Sequence, residues 1–161
     1  MTDTAIQEAA GELQATMSDL LGGIATLERD VFRNIGAGDA EFAAAHKAVV
    51  DFAEFTLRPW HRAAEEALYP AAAPVVRAQL LVEGLLGEWQ TVEQAYSRLS
   101  CVSTDRVRVT ADICALRVLL VVMLGKCMAL LVPALAEDGI DLTDAAERLA
   151  AAATATATAK Q

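Results

Sequence analysis

Aromatic side chains make up only 5% of these 161 residues, and histidine occurs just twice, as His46 and His61. A core so short of rings has to be built from alanine and leucine, which suits closely packed helices. With two imidazoles the candidate general bases are few. Ser/His/Asp and Cys/His nucleophile arrangements, Gly-rich phosphate loops, Cys-x-x-Cys pairs and Glu-x-x-His motifs are missing too. Hydrolytic chemistry is therefore disfavoured, and the reading leans away from an enzyme. Cys101, Cys114 and Cys127 are odd in number and irregular in spacing, which excludes a disulfide framework and fits a reducing cytoplasm. Basic residues are outnumbered 13 to 22, giving a net charge of −9 that repels phosphate backbones and argues against nucleic acid as a partner. The N-terminal stretch has neither a basic n-region nor an apolar h-region, so no secretory signal is expected there.

What the chain does have is a 55% apolar composition rich in strong helix formers. A chain of this length is expected to form one domain with one core, burying about 70% of its unfolded surface. The run from Val118 to Ala136 is apolar apart from Lys126 and almost long enough to span a bilayer. A lysine at mid-span costs about 2.5–3.5 kcal/mol on insertion scales. The same pattern serves the centre of a bundle or a subunit interface, so a membrane span is disfavoured.

The pattern predicts four long helices and a short terminal one. The first spans about Thr4 to Asn34, with Gly22-Gly23 as a point of weakness. Gly36 is expected to stop it in a left-handed conformation and Asp39 to cap the next. The second helix passes Pro59, with a kink expected between Phe55 and Trp60, and ends near Tyr69 before a connection bracketed by Pro70 and Pro74. The third spans about Val75 to Leu99. Ser100 to Thr104 is expected to form a loop, with Ser103 or Thr104 capping a fourth helix that reaches Ala136 and is ended by Gly139. Thr143 opens the terminal helix, which dissolves into TATATAKQ, a tail expected to bury little. Short links favour antiparallel neighbours. The expected fold is all-α, an up-down-up-down four-helix bundle over 1–140, with a short helix and an Ala/Thr tail over 141–161.

Two segments have similar endings: LRPWHRAAEEALYPAAA at 57–73 and VVMLGKCMALLVPALAE at 121–137. With FRNIGAGDAEFAAA before them and LLVEGLLGEW between, they resemble bacterial hemerythrin-like (HHE) domains over most of residues 10–137. That family holds two irons between its four helices through histidines and bridging carboxylates. The resemblance puts Trp60 at the histidine position of the second helix, with Ala64 and Glu65 at its acidic pair. It turns the family's Glu-His of the third helix into Glu88-Trp89. In the fourth helix it puts Met123 at the second histidine, and Cys127 and Met128 at the second acidic pair. In the first, the ligand position falls near Thr16 or Met17. Two histidines in the whole chain cannot supply that ligand set, so the di-iron centre is expected to be lost and its space filled.

The candidate ligand-binding residues are Trp60, His61, Glu65, Trp89, Met123, Cys127 and Met128. Trp60 and Trp89 could stack on a planar ligand, but as core they would each bury around 200 Å². His61 and Glu65 lie one turn apart and read as a rim salt bridge, His61 being rotated by about 100° from the family position and away from the bundle axis. His46 reads as a surface or boundary residue. Met123 and Cys127 share a face and read as packing. A soft-metal or haem site made from His61, Met123 and Cys127, with Cu(I) or haem as cofactor, is the alternative. Cys114 reads as core, and Cys101 as the accessible thiol. The leading expectation is a cytoplasmic, cofactor-free scaffold, binding a second copy or a partner protein through the fourth helix. A carrier or sensor of a small apolar ligand, haem or Cu(I) is the second.

Overall fold

A computed structural model describes residues 2–101 and 103–158, so Val102 and the last three residues of the TATATAKQ tail lie outside it. Among the described residues the secondary structure is entirely helical, in five helices. We label them α1 (Asp3–Asn34), α2 (39–71), α3 (Val76–Ser100), α4 (Arg106–Glu137) and α5 (Thr143–Thr158). α1 packs against α2, α4 and α5, and α3 lies along α4. The pairs Arg98–Asp112, Glu88–Lys126 and Arg77–Glu137 run in opposite chain directions, so α3 and α4 are antiparallel.

Several local expectations change. Asp39 is the first helical residue of α2 rather than its cap. That position belongs to Gly38, and the Asp39 carboxylate instead accepts from Arg106. Gly36 does not adopt a left-handed conformation; Gly139 is the described residue that does, at φ 71°. Past Gly139 the Ile140 N–H reaches back to the Leu135 carbonyl at 3.0 Å, the wrap-around bond of a helix stopped by glycine. Asp105, not Ser103 or Thr104, caps α4, accepting from the Arg108 N–H at 3.0 Å, while Ser103 accepts from the Asp105 N–H. α1 runs unbroken through Gly22-Gly23, where a Cβ on Gly23 would meet the Phe52 ring at 3.1 Å. That glycine lets α2 approach.

The prolines expected to kink or end helices are carried inside them. Each follows, by two positions, a five-residue π turn: Ala53–Leu57 before Pro59, Ala64–Leu68 before Pro70, and Cys127–Leu131 before Pro133. In each, the residue just before the proline bonds five residues back: Arg58 to Ala53, Tyr69 to Ala64, Val132 to Cys127. The wider turn moves backbone away from the proline ring, which would otherwise clash with the preceding turn. α2 therefore continues past Pro70 to Ala71.

In that register Pro133 should bond the Met128 carbonyl but has no N–H to give. Gln14 on α1 supplies the donor, its Nε2 lying 3.0 Å from that oxygen.

α5 is a full member of the core. Leu142, Ala145, Ala146 and Leu149 are buried in the same cluster as Leu13, Met17 and Trp60, so the core runs across the 140/141 division. α1 and α2 meet near their shared turn, and α5 fills the space between α1 and the later part of α2.

Replacing Gln14 by Leu strands the Met128 carbonyl in partly buried surroundings. It is expected to reduce stability by about 1–2 kcal/mol in urea unfolding, with the helical circular dichroism of the native state unchanged. No change in midpoint would mean that solvent satisfies this carbonyl.

Candidate functional site

His61 lies between the two π turns of α2. The rim position expected for it is wrong: it is 2% exposed, and its ring lies flat on Trp89 of α3, with centroids 3.9 Å apart and planes within 5°. The physical reason is α3: Trp60 takes the core-facing side of α2, and the side about 100° further round, where His61 points, is covered by Trp89 rather than by solvent. The π turn over Ala64–Leu68 does re-phase Tyr69 relative to His61. At α-helical spacing, eight residues put Tyr69 about 80° away from His61; with one residue absorbed by the wider turn the two nearly align. Their rings meet edge to face at 5.8 Å.

The imidazole makes no hydrogen bond. Nδ1 faces a Glu65 carboxylate oxygen at 3.7 Å, too far for one, and Nε2 is sealed in without a partner. Burial lowers the His61 pKa to about 4, so the ring is neutral at physiological pH. Behind it Tyr69 Oη is likewise buried and unpartnered. Burial, reinforced by Cys127, Glu65 and Glu88, holds that phenol protonated. Glu88 gives one oxygen to Lys126 and leaves Oε2 buried without a partner. Burial, with Glu88 nearby, pushes the Cys127 thiol up to about 12, so no reactive thiolate is available there.

The residues singled out in the sequence divide into three groups. His61, Glu65 and Trp89 come together. Trp60, Met123 and Cys127 are fully enclosed in the core, Trp60 with an unpartnered indole N–H. Met128 is half-buried beside the core and contributes its carbonyl to Gln14. Tyr69 and Lys126 were not anticipated. Lys126 was legible as a charge within an apolar run that needed a partner, whereas the Tyr69 position depends on a π turn that residue spacing does not reveal. Glu28 is paired with Arg117 at 2.7 Å. Among the described residues no three His, Cys, Asp or Glu side chains are grouped to hold a metal ion.

A cleft of about 510 Å³ opens beside His61 between α2 and α3. Arg58 sits on one wall, bonded to Glu54 at 2.8 Å and to Glu93 at 3.0 Å, and lies over the Tyr96 ring. Tyr96 Oη donates to Glu54 at 2.6 Å, and this bond, with Arg58, holds the Glu54 carboxyl below its usual range. Glu65, Glu66 and Arg62 form the rest of the rim, with Trp89 in the lining. A second cleft of about 490 Å³ contains His46 and Arg106. Its polar groups are engaged: His46 Nε2 lies 2.8 Å from the Leu99 carbonyl, and Arg106 bonds the Ile35 and Ala37 carbonyls. His46 is thus the boundary residue expected.

No protein-family model, curated protein or solved structure matches this chain. The sealed, neutral imidazole is the distinctive geometry of the site.

That geometry predicts an acid-sensitive fold. Below pH 6.5 the unfolded chain protonates His61, while the folded protein resists until about pH 4. Within that window the unfolded state holds more protons, so stability falls as pH falls, by on the order of 3 kcal/mol for this group. His61→Phe keeps a ring against Trp89 and is expected to flatten this part of the stability–pH profile. If the profiles of parent and variant run parallel from pH 7 to 4, the buried neutral imidazole is wrongly assigned.

Proposed function

We propose that this chain is a hemerythrin-like bundle, built up-down-up-down from α1 to α4 with α5 added, that works without a di-iron centre. It acts as a non-catalytic scaffold, pairing with a second copy through α4 in the cytoplasm. The observation that carries this reading is the apolar face of α4 left uncovered: Val118, Val121, Val122 and Leu130 are each 43–55% exposed. By length and composition α4 could also cross a membrane. The charges within it are engaged inside the chain, Arg117 with Glu28 and Lys126 with Glu88, which favours a helix packed against protein.

The spacing on that face supports a helix as occupant. Ala111, Ala115, Val118, Val122, Gly125 and Ala129 recur at alternating steps of four and three, the seam of a two-helix contact. Their small size permits a close approach, and a Cβ on Gly125 would meet nothing. The filled interior supports the metal-free half of the proposal. At the positions that the resemblance gives to iron ligands, Trp60, Met123 and Cys127 are fully buried among leucines. A haem or Cu(I) site through His61, Met123 and Cys127 is the weaker reading, because all three are buried and Met123 and Cys127 are fully enclosed in the core.

Analytical ultracentrifugation is expected to show a dimer at micromolar concentrations. The double variant Val118→Glu, Val122→Glu should be a monomer with unchanged helical content. A parent protein that sediments as a monomer would sink the pairing. For the metal-free reading, protein from iron-supplemented cells is expected to be colourless, with substoichiometric iron by elemental analysis; two irons per chain with a ligand-to-metal absorption band would end it.

A further inference from the structure

We propose that the cleft beside His61 binds a linear organic amine carrying two or more positive charges, held by Glu65, Glu66, Trp89 and the unpartnered His61 imidazole. The charge pattern of the cleft points to a cation. Arg58 is already spent on Glu54 and Glu93, and its own wall still keeps one negative charge. Glu65 and Glu66 on the opposite rim exceed the single charge of Arg62, within a chain of net charge −9.

Acidic side chains at a rim would mean little on their own. The second observation is His61, whose side chain is 3% exposed, which lines the cleft and which makes no hydrogen bond through either nitrogen. Its Nδ1 and the Glu65 oxygen stand 3.7 Å apart. With the ring proton on Nε2, these are two acceptors facing one another. A single ammonium nitrogen can reach both at the usual hydrogen-bond length of about 2.8–3.0 Å, giving Nδ1 a donor and neutralising the carboxylate. Trp89, buttressed from one side by His61, adds an aromatic surface for the cation or its methylene chain.

The shape of the site selects an organic cation over an inorganic one. A divalent metal needs several oxygen or nitrogen ligands converging on one point, and no three such side chains among the described residues do so. The carboxylates are spread around a cleft of about 510 Å³, which suits charges separated along a flexible chain.

The test is calorimetric titration of the full chain with spermidine, putrescine and, for comparison, magnesium chloride, with tryptophan fluorescence as a second readout. Saturable spermidine binding is expected, with magnesium failing to displace it at equal charge. Glu65→Gln and Glu66→Gln change exposed positions and should fold normally, and each is expected to weaken binding roughly tenfold. His61→Phe keeps the ring but removes the acceptor and should weaken it too. The Val118→Glu, Val122→Glu protein should bind as the parent does, so a failure of helix pairing would leave this result standing. Absence of saturable binding, displacement by magnesium, or unchanged affinity in both glutamine variants would overturn the proposal.

Discussion

A proline has no N–H to continue a helix, and this protein meets that constraint three times without ending one. Each proline follows a π turn in which the preceding residue bonds five positions back. Much of the rest follows from this. Long helices remain long, so α2 and α4 can contribute side chains along the whole length of the core. The widened turns also re-phase the residues after them, and that re-phasing brings His61 and Tyr69 onto a shared face. One carbonyl left over from this arrangement, that of Met128, ties α4 to α1 through Gln14.

The interior is therefore of two kinds. Between α1, α4, α5 and the core-facing side of α2 it is apolar, with Leu13, Met17, Trp60, Met123 and Leu149 in one cluster. Toward α3 it turns polar, with His61, Tyr69 and Glu88 each holding a buried polar atom that has no partner. Such atoms are costly to leave unmatched, by roughly 1–3 kcal/mol each. Their concentration next to a cleft is what singles this region out, since the comparable cleft around His46 has its polar groups satisfied. The apolar face of α4 is a separate matter, concerned with what lies outside the chain, and the two features support separate proposals.

The all-helical character, the extent of α1, the role of Gly139 and the enclosure of Trp60, Met123 and Cys127 were legible in the residues. Composition and 3.6-residue periodicity report on them directly, because burial of an amphipathic face is a property of one helix at a time. Helix caps were less legible. Asp39, Ser103 and Thr104 all had suitable side chains, but the neighbouring Gly38 and Asp105 took the cap positions once the turns closed. The terminal helix was legible in its start at Thr143 but not in its reach: Leu142, Ala145, Ala146 and Leu149 join the main core, because a groove between α1 and α2 is filled well by small residues.

Residue by residue, then, the chain itself determined a helical, acidic protein with too few histidines for a multi-histidine metal centre, because amino-acid counts and periodic patterns do not depend on what packs against what. Only the tertiary structure decided which way His61 points, that Trp89 of α3 covers it, and that Tyr69 and Glu88 join it. Those outcomes depend on the rotation of about 100° introduced by the π turn before Tyr69, and on contacts between helices far apart in the chain. Neither leaves a local mark that spacing alone can reveal.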